Sequence, residues 1–275
     1  MVALRVPVPS SPTEILGVAD LHVHSHHSDG LASVRQIVEH AAEHTVLDII
    51  AIADHDQVRG ALEAVEWCAG RPGRRLQAIV ATEISAAWGR HVLALFFAPP
   101  FPTTPFPRFR PLLETIATVH AAGGVVALPH PYSTVVPSVG ERTLRNLLAG
   151  RATHPELQAL QAIEICTGAL GGRRLESRLR RANDASLHLA PLGNSDAHHL
   201  AFIASAFTRF PGRTPADLRR AIEDRATQAH WGAPAQVSLG AYARQSWRSM
   251  VIKPARELRE ALRKPEPPPT ASRPP

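Results

Sequence analysis

The chain has 275 residues, 44% of them hydrophobic, so it can fold as one barrel-sized domain of about 250 residues. It contains no apolar run of about 18 residues and no secretory pattern at its start, and its two cysteines are Cys68 and Cys166. We therefore expect a cytoplasmic protein without a transmembrane segment or a disulfide framework. Residues 241–275 carry most of the net charge of +6, which argues against a basic nucleic-acid-binding barrel.

The first apolar run starts at Ala19 and ends in His22 and His24, with Asp29 on the segment that follows. Side chains two apart on a strand point to the same face, so both imidazoles can bind one cation, and Asp29 can reach it. Imidazole nitrogen combined with carboxylate oxygen suits zinc, manganese or iron better than calcium. Taken alone, the segment is also compatible with ordinary polar residues at a strand end.

Four later apolar runs are each followed by metal-binding residue types. A lone His at a strand end is usually a hydrogen-bonded bystander, but five such segments in one chain are not explained that way. In a closed parallel barrel the C-terminal strand ends meet at one rim, which predicts that these side chains form one cluster. The later residues are His55 between Asp54 and Asp56, then Glu83, His91, His130, Asp196 and His198.

Helical periodicity between these runs predicts an α/β fold with a parallel sheet. Residues 98–111 hold six Pro between Phe101, Phe106 and Phe109, which predicts a long loop or a cover over the rim. We expect residues 1–240 to form the barrel. Residues 241–275 are expected to form a basic helix that packs on the barrel through an apolar stripe, followed by a Pro-rich disordered end. The alternative is that this segment contacts phosphate or a membrane surface. The predicted barrel helices cover residues 33–44, 57–69, 112–122, 141–148, 173–187 and 215–226.

Together these motifs resemble the PHP (polymerase and histidinol phosphatase) metallohydrolases over about residues 18–232. The matching segments are 20–30, 54–56, 83–85, His91, 129–131 and 194–198. The resemblance implies a distorted seven-stranded (β/α)7 TIM-like barrel holding three metal ions. It implies His22, His24, Glu83 and Asp196 at the first metal, Glu83, His91 and His130 at the second, and Asp29, His55 and His198 at the third.

Two to three divalent ions shared by three carboxylates leave excess positive charge, so the expected guest is a phosphorylated small molecule or nucleic-acid end. A water bridging two metals loses a proton near neutral pH and can attack phosphorus in line. We expect His130, Asp196 and His198 to be catalytic, with His198 or an acidic neighbour assisting the leaving group. Around Asp29 and His91 the resemblance is closer to stand-alone phosphoesterases acting on nucleotides or nucleic-acid ends than to histidinol phosphatases.

Residues beside the motifs have two interpretations each. Asp20 and Asp56 can accept a ring N–H from a ligand His and fix its tautomer, or they can be solvated acids or helix caps. Arg173 and Arg174 are candidates for a phosphate clamp, or bystanders on a helix surface.

Three other functions are alternatives to a nucleotide phosphoesterase. An amidohydrolase with a carbamylated Lys bridge is disfavoured, because Lys253 and Lys264 are the only lysines and both lie beyond the predicted barrel. A histidinol-phosphate-type phosphatase would need a carboxylate near the substrate ammonium. A non-catalytic metal-stabilised module would be expected to lack ligands, whereas this set is complete. The sequence indicates no obligate protein partner.

Overall fold

The computed structural model describes residues 15–71, 73, 75–233, 240 and 247. The chain divides into two compact units, Met1–Gln236 and Val237–Pro275. The predicted C-terminal helix and tail, residues 241–275, lie outside the described residues apart from position 247, so they stay a prediction. Within the described part, no helix combines the length and apolar character needed to cross a membrane.

The described residues contain nine strands, where the resemblance implied seven. They form one sheet that curls into a nearly closed barrel. At its seam the Gly193 N–H donates to Thr208 Oγ1 at 3.0 Å, and the Thr208 hydroxyl donates to the Gly193 carbonyl at 2.9 Å. The strands are β1 (Leu16–Val23), β2 (Ile49–Ile52), β3 (Gln77–Ala86), β4 (Arg90–Phe96), β5 (Val125–Leu128), β6 (Leu160–Thr167), β7 (Ala190–Asn194), β8 (Ala206–Pro211) and β9 (Gln228–Trp231), in the spatial order β7-β6-β5-β4-β3-β2-β1-β8-β9.

The sheet is mixed, so the prediction of a parallel sheet was wrong for part of it. β1, β2 and β3 are parallel, as are β5, β6 and β7, but β4 is antiparallel to both of its neighbours and β8 is antiparallel to β1 and β9. Only residues 87–89 connect β3 to β4, which is too short for the crossover of about a dozen residues that a parallel pair needs. The extra strands β8 and β9 are short and partly polar, so no apolar run marks them.

Six α-helices in the described residues confirm the predicted helical segments. Ser33 caps the first and Thr214 the last, each in a capping box with the residue three positions later. The fifth helix ends at Ala182 rather than at residue 187, because residues 183–187 form a π turn. The helices are α1 (Val34–His44), α2 (Arg59–Ala69), α3 (Leu112–Ala121), α4 (Glu141–Ala149), α5 (Gly172–Ala182) and α6 (Pro215–Glu223).

The sheet separates two apolar clusters. The outer cluster packs the strands against helices α1 to α5, through side chains such as Ile37, Ile116 and Leu179. The inner cluster fills the barrel with strand residues and includes Leu218 and Ile222 of α6. Since apolar side chains occupy the interior, a polar site can lie only at an end of the barrel.

Helix α6 closes the end at which the parallel strands begin. Gln77, the first residue of β3, donates a hydrogen bond to the carbonyl of Arg213, just before this helix. At the same end, Phe210 of the inner cluster pairs with Gly17 near the start of β1. The other end, where β1, β2, β3, β5, β6 and β7 finish, is left for function.

Candidate metal centre

At the functional end, the inward-facing rows of side chains change from apolar to polar. On β3 the interior residue Ala81 is followed in its row by Glu83, and on the antiparallel β4 Leu93 is preceded by His91. On β1 the pairing register shifts between Asp20 and Val23, an irregularity of the kind that redirects side chains beside functional sites. His22 follows immediately after an interior residue and still reaches Glu83. Alternation on β3 and β4, together with the irregularity on β1, thus brings these ligand types to one place.

Glu83 lies at the centre of the resulting cluster and is buried. Its Oε1 is 2.7 Å from Nδ1 of His91 and 2.9 Å from Nε2 of His130. Its Oε2 is 3.2 Å from Nε2 of His22 and 3.3 Å from Nδ1 of His55. Nε2 of His24 is 3.4 Å from the same Oε2, so one carboxylate contacts five imidazoles, as a group bridging two cations would.

Two further carboxylates face the same group of rings. Asp29 Oδ2 is 3.3 Å from Nε2 of His198, and Asp29 Oδ1 is 3.7 Å from Nδ1 of His24. Asp196 Oδ1 is 3.1 Å from Nε2 of His24 and 3.6 Å from Nε2 of His22. The three acids and six histidines predicted as ligands thus form one contiguous, largely buried cluster.

Four overlapping sets of side chains in this cluster have ligand atoms close enough to share an ion. These sets differ from the three metal sites that the resemblance implied in two ways. Glu83 belongs to two sets, but neither contains Asp196. His91 and His130, which the resemblance placed at one metal, fall in different sets. The sets are His24, Asp29, His55 and His198; His22, His24 and Asp196; His22, Glu83 and His130; and His55, Glu83 and His91.

The hydrogen bonds of two rings favour cations between these groups. Nδ1 of His22 is 2.8 Å from the carboxylate of Glu164 and donates its proton there, so Nε2 presents a lone pair toward Glu83 and Asp196. In His198, Nδ1 donates to the Asp196 carbonyl oxygen at 2.9 Å, which leaves Nε2 as a lone pair facing Asp29. Lone pairs aimed at carboxylates repel each other unless a proton or a metal ion lies between them.

Buried polar atoms without hydrogen-bond partners also favour bound cations. They include Nδ1 of His24, Nδ1 of His130 and Oδ1 of Asp29, and such atoms are costly unless something satisfies them. Nitrogen and carboxylate oxygen together are the donor set of zinc, manganese and iron. The residues present therefore fit divalent transition-metal ions.

Opposite charges outweigh burial in setting the pKa values of Glu83 and His198, whereas burial and the neighbouring His198 lower the pKa of His24. Burial alone would raise the pKa of Glu83, but His55, His91 and His22 hold it well below its usual range. Burial would lower the pKa of His198, but Asp29, hydrogen-bonded to the ring, and Asp196 raise it to about 9. The carboxylates thus favour positive charge at this place, whether carried by protons or by metal ions.

Glu164 is a residue of this cluster's surroundings that the sequence analysis missed. It is fully buried on β6 and accepts from Nδ1 of His22 at 2.8 Å, from the backbone N–H of His130 at 2.8 Å and from the Asn194 amide at 2.9 Å. It thereby orients the ring of one predicted ligand and holds the backbone of a second, His130, whose φ of 31° is unfavourable for a residue with a side chain. Its signal was a charged residue in the apolar run that ends at Thr167.

Neither acid proposed to orient an imidazole does so in the described structure. Asp20 accepts backbone N–H groups of Ser195 and Ala204, and burial raises its pKa to about 6. Asp56 accepts the backbone N–H of Ser85. Both therefore fix loops beside the cluster, because backbone donors, not ring nitrogens, lie within their reach.

Asp54 organises the loop that carries Asp29. Its carboxylate accepts from the Ser25 N–H at 2.7 Å, the Ser25 hydroxyl at 2.6 Å and the Ser28 hydroxyl at 2.6 Å. Gly30 closes this loop against the carbonyl of His24, where a Cβ would collide. A buried carboxylate thus positions a ligand-bearing loop without itself joining the cluster.

The predicted rim residues are mostly committed elsewhere. Phe106 is buried and stacks on Phe96 at 5.8 Å between ring centroids, and Phe101 packs partly against the outer cluster, so Phe109 is the exposed phenylalanine of this loop. The Arg173 guanidinium lies 4.0 Å from the centre of the Trp231 ring. Phe106 and Phe101 thus anchor the loop from β4 to α3 to the outer cluster, while most of its other residues are exposed.

Comparison with known proteins reveals the relatives of this chain. The PHP domain matches residues 20–153, and the PHP-associated region matches residues 178–227. Over 74 residues the chain is 35% identical to a 3′,5′-nucleoside bisphosphate phosphatase of Chromobacterium violaceum, a match that covers 27% of this chain and 25% of that protein. The chain thus spans only about a quarter of this curated relative.

Solved structures share the fold at low identity. A two-domain protein of Bacteroides vulgatus containing a predicted PHP-like metal-dependent phosphoesterase aligns with a TM-score of 0.60 at 18% identity, covering 90% of this chain and 74% of that one. The lesion-specific endonuclease PfuEndoQ of Pyrococcus furiosus aligns with a TM-score of 0.53 at 17% identity, covering 78% and 58%. At these identities the likeness concerns the fold alone.

Proposed function

This chain belongs to the PHP family and is a metal-dependent phosphoesterase, and on that premise we propose that it hydrolyses a phosphate ester of a nucleotide or of an oligonucleotide end. The observation that carries the proposal is the single cluster of three carboxylates and six imidazoles at the open end of the barrel. The nucleoside bisphosphate phosphatase among its relatives supports a nucleotide as the leaving group.

The charge of the cluster favours a phosphate ester over a neutral substrate. With neutral imidazoles, two divalent ions would leave the centre at about +1 and three at about +3, because the three carboxylates supply the only negative charge among its ligands. Zinc, manganese or iron bound there would neutralise phosphate charge and lower the pKa of a coordinated water. An anionic ester with two or more negative charges is the natural partner of such a site.

The protein's own residues hold and orient the ions and leave one side open for the ester. We assign His22, His24, Asp29, His55, Glu83, His91, His130, Asp196 and His198 as the ligands, with Glu83 shared. The side chains of His91, His198 and Asp196 are 10%, 10% and 12% exposed, so they border the opening through which the ester enters. The side chains of His22, His24 and Glu83 lie deeper, at 0–1% exposure, and exclude bulk water.

His198 is assigned as a ligand rather than as the acid that protonates the leaving oxygen. Its Nδ1 proton is already donated to the carbonyl oxygen of Asp196, so Nε2, which faces Asp29, is the nitrogen left to bind a cation. A single ring cannot use Nε2 both to bind a cation and to donate a proton. The catalytic contribution of Asp196, His130 and His198 is therefore to hold the reacting centre in place.

The test is hydrolysis by the full chain loaded with manganese, zinc or iron. The substrates are a 3′,5′-nucleoside bisphosphate, a 5′-phosphorylated oligonucleotide, histidinol phosphate and an amide. We expect kcat/KM for at least one nucleotide substrate to exceed that for histidinol phosphate by about tenfold or more. A preference for histidinol phosphate would refute the substrate assignment, and a preference for the amide would refute phosphoester chemistry.

The matched variants are His130→Ala in the cluster and His120→Ala on the exposed side of α3. We expect the first to lower kcat by about a hundredfold or more, because it removes a ligand, and the second to leave kcat unchanged. Absence of hydrolysis of every phosphate ester with all three metals would favour a non-catalytic metal-stabilised module.

A further inference from the structure

Large apolar side chains are exposed at both ends of the barrel. Among the described residues of the first unit, the exposed aromatic ones lie at the functional end. At the closed end the exposed residues are the aliphatic Ile15, Leu16 and Val46. At the functional end Trp88 is 88% exposed and Phe109 is 61% exposed. Exposed apolar side chains gathered in one patch, rather than scattered singly, mark a binding surface.

Backbone hydrogen bonds hold the two aromatic residues on one ledge. The N–H of Phe109 donates to the carbonyl of Ser85 at 2.7 Å, and the N–H of Ala87 donates to the carbonyl of Arg110 at 2.8 Å. Residues 109–110 therefore run beside the end of β3, next to the turn that carries Trp88. We call this surface, residues 87–90 and 108–110, the aromatic ledge.

Both aromatic residues have backbone conformations that their bulky side chains disfavour. Trp88 has a φ of 65° and Phe109 a φ of 57°, in the left-handed region where bulky side chains are genuine outliers. Gly, Asn or Asp would adopt these conformations at lower cost. Strained residues of this kind cluster at ligand-binding positions, where the strain is retained because the side chain is used.

The ledge also carries positive charge without neutralising partners. Arg90, Arg108 and Arg110 belong to it, and no Asp or Glu occurs in the sequence between Glu83 and Glu114. Among the described residues, none of the three guanidinium groups has an ion pair or hydrogen bond to a side chain or carbonyl; that of Arg108 lies 5.7 Å from the centre of the Phe109 ring. A surface with aromatic rings and free guanidinium groups complements bases linked by phosphates.

The ledge is close enough to the metal centre to serve one substrate with it. Trp88 precedes His91 by three residues, so their Cα atoms are at most about 10 Å apart. Stacked nucleotides rise about 3.4 Å per step on one strand. A base on the ledge would therefore lie within about three nucleotides of a phosphate at the cluster.

We infer that the aromatic ledge is a stacking platform for the bases of a single-stranded nucleic-acid end whose terminal phosphate enters the metal centre. The inference rests on the proposed function, because it names the substrate class of the same site. Trp88 and Phe109 stack on bases, while Arg90, Arg108 and Arg110 contact the phosphates between them. Every base has a π face, so the platform binds without marked sequence preference.

The test is equilibrium binding of the chelator-treated full chain to 3′-fluorescein-labelled, 5′-phosphorylated oligothymidylates of two, four and eight nucleotides, followed by fluorescence anisotropy. Because binding is measured without turnover, it is independent of whether the loaded protein hydrolyses phosphate esters. We expect affinity to rise from the dinucleotide to the tetranucleotide. Trp88→Ala should weaken tetranucleotide binding by about five- to one-hundred-fold, whereas Trp88→Phe should retain most of the affinity.

Two matched comparisons separate stacking from charge and from folding. Arg110→Gln should weaken binding and reduce the dependence of log affinity on log salt by about one, whereas Arg219→Gln, on an arginine paired with Glu223 on α6, should change neither. Phe109→Ala repeats the stacking test on the other ring. Equal affinity of native chain and both Ala variants, or binding to anionic phospholipid vesicles but not to oligonucleotides, would overturn the inference. The proposed function is tested separately, by hydrolysis with metal-loaded protein, so its outcome does not depend on this binding experiment.

Discussion

Replacement of Glu164 by Gln tests whether a residue outside the ligand set controls metal binding. Oε1 of Glu164 accepts from His22 and Asn194, and Oε2 accepts from the backbone of His130. Gln has nearly the same shape but only one acceptor oxygen. Its amide NH2 group would face an N–H group that now donates to the carboxylate. Whichever way the amide turns, at least one buried N–H loses its partner.

The cost of this change divides into two measurable parts. One unsatisfied buried donor lowers the free energy of unfolding of the metal-free protein by about 1–3 kcal/mol. Loss of the carboxylate that orients the His22 ring and raises its basicity weakens metal affinity by about 10–100-fold. The second effect should persist at a temperature where the variant is fully folded.

Metal affinity is measured by competition with a chromophoric chelator, and folding by urea titration of the metal-free protein. Glu176→Gln is the matched control, since Glu176 also accepts from a ring N–H, that of Trp231, but lies on α5 outside the cluster. The control should bind metal like the native chain. If Glu164→Gln is folded and its metal affinity stays within about twofold of native, the orienting role of Glu164 is refuted.

Three further outcomes follow from the geometry. Glu83→Ala should lower the metal content per chain, measured by elemental analysis, more than Asp29→Ala does, because Glu83 contacts more imidazoles; equal losses would contradict a shared ligand. Burial, with Glu176 adding to it, raises the pKa of Cys166 to about 12, so the stability that this thiol contributes is complete below about pH 9 and lost as pH rises through 12. Urea titrations should show that the free energy of unfolding of the native chain falls by on the order of 1 kcal/mol from pH 7 to pH 10, and that of Cys166→Ala should not show this fall. Alkylation of Cys166 at pH 8 should require unfolding. Gly168→Ala should lower the free energy of unfolding by about 2 kcal/mol or more in urea titration, since its Cβ would collide with the carbonyl of Ser195; an unchanged midpoint would show that the loop can relax.

Local pattern was sufficient to predict the helices and the chemistry of the cluster. Ser33 and Thr214 begin helices because their side chains cap the backbone of the next turn, an interaction contained within four residues. His22 and His24 share a face because strand alternation is a property of the backbone. Residue types with metal-binding chemistry at successive strand ends therefore indicated a metal centre before any fold was known.

The partners of those residues depended on the tertiary structure. Glu164 is 142 positions from His22 and reaches it only because β6 and β1 face each other inside the barrel. The count of nine strands depended on β8 and β9 pairing beside β1, and the burial of Phe106 on packing against Phe96. By itself, the sequence determined the residue types, the periodicity and the caps, because these act over a few residues. Only the closed sheet decided which distant carboxylate meets which ring and which aromatic side chain remains exposed, because those contacts exist only after the chain has folded around a shared interior.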